Sequence, residues 1–74
     1  MKEEIVNITT EYIKLDQLIK FAGIAATGGD AKDMVLSGMV SVNGEPCTMR
    51  GKKMRKGDSC TLEFEDETVV IKVD

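Results

Sequence analysis

Thr27-Gly28-Gly29-Asp30-Ala31-Lys32-Asp33-Met34-Val35-Leu36-Ser37-Gly38-Met39-Val40-Ser41-Val42-Asn43-Gly44 changes its apolar period halfway along. Ala31, Met34, Val35 and Gly38 fall at i, i+3, i+4 and i+7, the spacing of one face of a helix. From Met39 the period is two: Val40 and Val42 point one way, Ser41 and Asn43 the other. Thr27 is a good N-cap, and Asp30 three residues later takes the capping-box position usually held by Glu. These features predict a helix over about Gly28 to Ser37, stopped at Gly38. A short strand then runs into Asn43-Gly44, because a two-residue type I′ turn needs positive φ at both central positions.

The same logic extends in both directions. Leu15, Leu18, Ile19 and Ala22 form one helical stripe, Asp16 suits the positive end of that helix, and Gly23 can close it in the left-handed conformation. A first helix is expected over about Leu15 to Ala22, with Gln17 and Lys20 facing water. Ile24-Ala25-Ala26 is short enough to make the two helices a hairpin. Toward the N-terminus, residues 4–9 are rich in β-branched side chains and predict a strand, although Ile5 has the opposite parity to Val6 and Ile8. Toward the C-terminus, Pro46 to Met49 is expected to be the return strand and Arg50 to Asp58 a long basic loop. Cys60, Leu62 and Phe64 then alternate in one strand, and Val69, Ile71 and Val73 in the last.

A chain of 74 residues, 42% hydrophobic and 31% charged, is expected to form one α+β domain with a small core. No apolar run approaches the roughly 20 residues that span a bilayer. Met1-Lys2-Glu3-Glu4 opens acidic, with no long apolar segment behind it, so a signal peptide is not expected and a cytoplasmic location is. Cys47 and Cys60 are too far apart for a Cys-x-x-Cys motif, and histidine is absent. That set excludes an ordinary structural zinc site and removes the commonest general acid–base group, so neither metal, cofactor nor catalysis is expected.

The net charge is −3, but its distribution carries more than its sum. Residues 46–58 carry a net +4, and residues 59–74 carry −4. Half of all basic side chains lie in Arg50-Gly51-Lys52-Lys53-Met54-Arg55-Lys56. Arginine can grip phosphate through two parallel hydrogen bonds, whereas lysine acts as a mobile point charge. The Thr27-Gly28-Gly29 turn is a second anion candidate, since free N–H groups at a helix N-terminus bind phosphate. Against these stand plainer readings: a solvated loop offset by the acidic tail, and an ordinary capped turn. Lys32 lies between the two candidates.

The order helix, helix, strand, Asn-Gly turn, strand, basic loop, Gly-Asp turn, strand resembles the S-four domain, the RNA-binding module also called the alpha-L motif. Lys14-Leu15-Asp16, Ala31-Lys32, the Ser37 to Gly44 segment and Lys56-Gly57-Asp58 carry the likeness. An added N-terminal strand at Thr9 to Leu15, and the Thr27 to Lys32 segment, look like the stand-alone YaaA/YbcJ type. The resemblance implies a two-helix hairpin packed on a small, mostly antiparallel sheet with an added N-terminal strand. It also implies non-catalytic binding of structured RNA, ribosomal RNA or a ribosomal particle. The residues it implicates, together with the charge pattern, are Lys14, Thr27, Gly28, Gly29, Lys32, Arg50, Lys52, Lys53 and Arg55. An Arg-Ser pair that often opens the second helix in this family is replaced here by Gly28-Gly29. That departure and the acidic net charge leave a rival: a protein-interaction module that has lost RNA binding. Aromatic residues are scarce, and Tyr12 is the only ring expected to be exposed. That favours phosphate and 2′-hydroxyl contacts over base stacking.

Overall fold

The computed structural model describes residues 1–74. In chain order the elements are β1 (Lys2–Val6), β2 (Ile13–Lys14), α1 (Leu15–Phe21), α2 (Gly28–Leu36), β3 (Val40–Val42), β4 (Glu45–Pro46), β5 (Lys53–Met54), β6 (Ser59–Glu63) and β7 (Thr68–Val73). Five strands form one sheet in the order β1-β7-β6-β3-β4, and β2 and β5 pair separately. Every pairing is antiparallel except β1 with β7.

Local chemistry explains the helix ends. Gly23 takes φ +79° after α1; its N–H reaches the Lys20 carbonyl, and the Ile24 N–H reaches that of Ile19. This paired closure satisfies carbonyls that the helix leaves open. Gly38, at φ +88°, closes α2 in the same conformation. Asn43 (φ 50°) and Gly44 (φ 87°) form the two-residue turn between β3 and β4, which fixes Val42 opposite Glu45.

Alternation along the strands sends Val40, Val42, Cys60, Leu62, Val69, Ile71 and Val73 to one face, where Leu15, Leu18, Ile19, Ala31 and Val35 of the helices cover them. The core comprises 16 buried residues, none polar or charged. Each fully buried Leu, Ile or Val contributes about 1.5–3 kcal/mol by leaving water.

The structure departs from expectation in five places. The N-terminal strand is Lys2–Val6, displaced from 4–9, because its register is set by β7: Lys2 lies opposite Val69 and Val6 opposite Val73. That register turns Val6 and then Ile8 inward and leaves Ile5 59% exposed. Of the Thr9 to Leu15 segment, only Ile13–Lys14 is strand. The return strand stops at Pro46. Finally, the basic loop contains a strand, β5, whose Met54 is completely buried. The α2 stripe is also narrower than its spacing suggests: Ala31 and Val35 are buried, Met34 only partly, and Gly38 is exposed.

Candidate nucleic-acid interface

The two-residue strands β2 and β5 build a surface that carries cations from both strands. Ile13 lies opposite Met54, and both side chains enter the core. The next pair, Lys14 and Lys53, therefore projects from the other face, side by side. Two positions along, beyond the Ile13–Met54 pair, Tyr12 and Arg55 return to this face. The Lys53 Nζ lies 5.0 Å from the centroid of the Tyr12 ring, and the Arg55 Cζ lies 5.9 Å from it. Both distances are within cation–π range. The two ion pairs in the chain are Lys2–Glu4 and Lys72–Glu3, each at 3.4 Å, so none of these cations is matched to a carboxylate.

Hydrogen bonds hold the basic run against the domain. The Leu15 N–H donates to the Lys52 carbonyl at 2.9 Å, and the Asp16 N–H to that of Arg50 at 3.1 Å. The run thus caps α1 with its own carbonyls and leaves the side chains of Arg50, Lys52, Lys53 and Arg55 exposed. Asp16 accepts from the Gln17 N–H at 2.8 Å, completing that first turn.

Asp58 closes the other end of the run. Its carboxylate accepts from the Arg55 N–H at 2.8 Å and from the Asn43 side-chain amide at 3.2 Å. Asn43 in turn accepts from the Ser59 N–H at 3.0 Å. The Asn-Gly and Gly-Asp turns are therefore one bonded unit, with Gly57 at φ +96°. The Arg55 N–H bond lowers the Asp58 pKa, opposed by burial and aided by the Asn43 amide and the charges of Lys52 and Arg55.

The second candidate lies at the start of α2. The Thr27 hydroxyl accepts from the Asp30 N–H at 3.1 Å, and the Thr27 carbonyl from the Ala31 N–H at 3.1 Å. The N–H groups of Gly28 and Gly29 meet no acceptor within the chain. A side-chain carbon placed on Gly28 would lie 3.8 Å from the Gln17 Nε2. Gln17, expected to face water, is instead half-buried beside α2, whereas Lys20 is exposed. The α2 N-terminus and the basic run thus communicate through the first turn of α1 and share no hydrogen bond of their own. Lys32 is half-buried on α2.

The acidic residues Glu63, Glu65, Asp66 and Glu67 are exposed at the far end of β6 from Asp58. Four residues, 59–62, separate Asp58 from Glu63, roughly 15 Å of strand, beyond the Debye length of about 8 Å in physiological salt. Asp58, by contrast, stays beside the run, where the charges of Lys52 and Arg55 act on its carboxylate. Tyr12, expected to be a free ring, is half-buried under the cations; the exposed rings are Phe21, at 68%, and Phe64, which lies just past the end of β6 rather than within that strand as its alternation suggested. The sequence did not reveal Met54 as core or Tyr12 as the partner of these cations, because a two-residue strand inside a charged run shows no period.

Residues 6–72 match the S4 domain family, the S-four module. The chain is also similar to a protein of Bacillus subtilis (strain 168) described as the probable ribosome maturation protein RlbA. The two are 40% identical over 58 residues, a stretch covering 78% of this chain and 82% of that one. The chain belongs to the S4 domain family.

Proposed function

We propose that this S4-domain chain, acting as a single domain in the cytoplasm, binds structured RNA of the ribosome or of an assembling ribosomal particle, without catalysing a reaction. The observation that carries this reading is the run of unmatched cations Lys14, Lys53 and Arg55 on one face, with Lys14 directly opposite Lys53. Like charges facing each other across strands destabilise a fold. A bound polyanion would offset that cost. The similarity to a protein described as acting in ribosome maturation supports a ribosomal target.

In this reading Lys14, Lys53 and Arg55 neutralise phosphates, and Arg50 and Lys52 extend the contact along the α1 cap. Thr27, Gly28 and Gly29 offer backbone N–H groups to a further phosphate, and Lys32 lies nearby. Neutralising three to five phosphates gives a log affinity that falls with log salt at a slope of about −2 to −4. Co-sedimentation with ribosomal subunits at low and high salt, alongside filter binding of ribosomal RNA, tests the reading. Failure to associate with either at low salt would remove it.

The acidic β6–β7 turn favours one rival, a protein-interaction module. A partner retained after ribonuclease treatment and in high salt would favour that reading.

A further inference from the structure

We propose that Tyr12 is a positioning residue of the RNA-binding face: its ring holds Lys53 and Arg55 in place without cancelling their charge. The inference rests on the RNA-binding reading above and adds a residue to it.

A long cationic side chain on a surface samples many rotamers, and fixing it on binding costs affinity. A carboxylate partner would fix it in advance but would also neutralise it. A neutral aromatic ring attracts the cation through its quadrupole and leaves the field outward. Here one ring serves two cations, at 5.0 Å from Lys53 and 5.9 Å from Arg55. The two cations are residues i and i+2 of an extended segment, on the same side of Met54, so their backbones are spaced by roughly 6.6 Å. That spacing suits consecutive phosphates of one strand.

The backbone that carries the ring is itself held on both sides. The Thr10 hydroxyl donates to the Tyr12 carbonyl at 2.9 Å, and the adjacent Ile13–Met54 pair is buried. With Asp58 gripping the Arg55 N–H at 2.8 Å, the Lys53–Arg55 segment is fixed at the backbone as well as above the ring.

Tyr12→Leu and Tyr12→Phe separate this role from packing. Leucine keeps an apolar side chain at a half-buried position but has no π face; phenylalanine keeps the face. Tyr12→Leu should bind a fluorescein-labelled ribosomal RNA hairpin about threefold to tenfold more weakly at fixed low salt. Its salt slope should stay unchanged, because the cations remain. Tyr12→Phe should bind within about twofold of the parent.

In the free protein, the side-chain protons nearest the Lys53 Nζ and Arg55 Cζ should show upfield ring-current shifts that vanish in Tyr12→Leu and persist in Tyr12→Phe. Wild-type and Tyr12→Leu affinities that agree, or absent ring-current shifts, overturn the role of Tyr12 while leaving RNA binding intact. Failure of the wild-type chain to bind the hairpin overturns both.

Discussion

Lys14 and Lys53 stand directly opposite each other across the β2–β5 pair, and neither meets a carboxylate. A facing pair of like charges costs about 0.2–1 kcal/mol. Lys53 also lies on the Tyr12 ring, which returns about 0.5–1 kcal/mol at an exposed site. The two lysines therefore differ in what their removal does to stability. Lys14→Gln should raise unfolding free energy by a few tenths of a kcal/mol to about 1 kcal/mol, while Lys53→Gln should leave it nearly unchanged. Both should weaken RNA binding and make the salt slope shallower by about 0.7–0.9. Urea titrations and filter binding over a salt series read these effects. Loss of stability in Lys14→Gln would show that the facing pair carries no penalty.

Asp58 ties the basic run to the Asn-Gly turn, and its bond to the Arg55 N–H is the largest cause of its lowered pKa. Asp58→Ala leaves that N–H and the Asn43 amide without their acceptor, a loss of about 1–2 kcal/mol at neutral pH. The pH dependence follows from the direction of the shift. A carboxyl whose folded pKa lies below its unfolded value of 3.8 stabilises the fold above that value, and the effect is lost as pH falls through the lower folded value. The stability gap between wild type and Asp58→Asn should therefore narrow below about pH 4. Urea midpoints at pH 7 and pH 3 test this. A gap that stays constant would assign the effect to something other than the ionised carboxylate.

Met54 is buried completely within a run of five cations, whereas Met49, five residues earlier, is 67% exposed. Met54→Ala should cost about 2–5 kcal/mol, a large share of the stability of so small a domain, and Met54→Leu less than about 1.5 kcal/mol. Met49→Ala should change stability by no more than about 0.5 kcal/mol. Thermal unfolding followed by circular dichroism separates the two positions. Similar effects at both would remove Met54 from the core.

What could be read from the chain alone was whatever short-range chemistry decides. Thr27 caps its own helix, Gly23 and Gly38 close theirs, and Asn43-Gly44 forms its turn from its own backbone preferences. Long-range pairing was not legible in the same way. The face of Ile5 depends on the register of β1 with β7, more than sixty residues away, and local sequence does not encode that register. β5 was hidden for a different reason. Two residues are too few to show a period, and charged neighbours masked the single apolar residue that pairs with Ile13. The candidate cations could be picked out by charge density. Their arrangement around Tyr12 could not, because it follows from β5.

The two thiols should react very differently. Cys60 is buried in β6, and that burial pushes its pKa up to about 12, against a hydrogen bond with the Ile71 backbone that lowers it. At pH 8 it is almost wholly protonated and shielded from solvent. Cys47 is half-buried outside the strands. A thiol reagent at pH 8 should modify Cys47 first in the native chain and Cys60 only on unfolding, as mass spectrometry of timed aliquots would show. Equal labelling rates for the folded protein would contradict the packing around β6.

Gly28 and Gly29 occupy the place where related domains often carry an Arg-Ser pair, yet nothing in their backbone requires glycine. Neither has a positive φ, and a side-chain carbon at either would find its nearest neighbour at 3.7–3.8 Å, an ordinary contact. Glycine within a helix costs up to about 1 kcal/mol relative to alanine, so replacing it should not destabilise α2. The double substitution Gly28→Arg with Gly29→Ser adds a cation next to Gln17, on the side of α1 whose first turn the basic run caps. It leaves the Thr27 hydroxyl free to accept from the Asp30 N–H. If α2 opens toward RNA in this protein, the variant should bind a ribosomal RNA hairpin about threefold to tenfold more tightly at low salt. Its salt slope should steepen by about 0.7–0.9. Unchanged affinity and slope in a variant of normal stability would place the RNA wholly on the Lys14–Lys53–Arg55 face. The exposed amides of Gly28 and Gly29 would then have no part in binding.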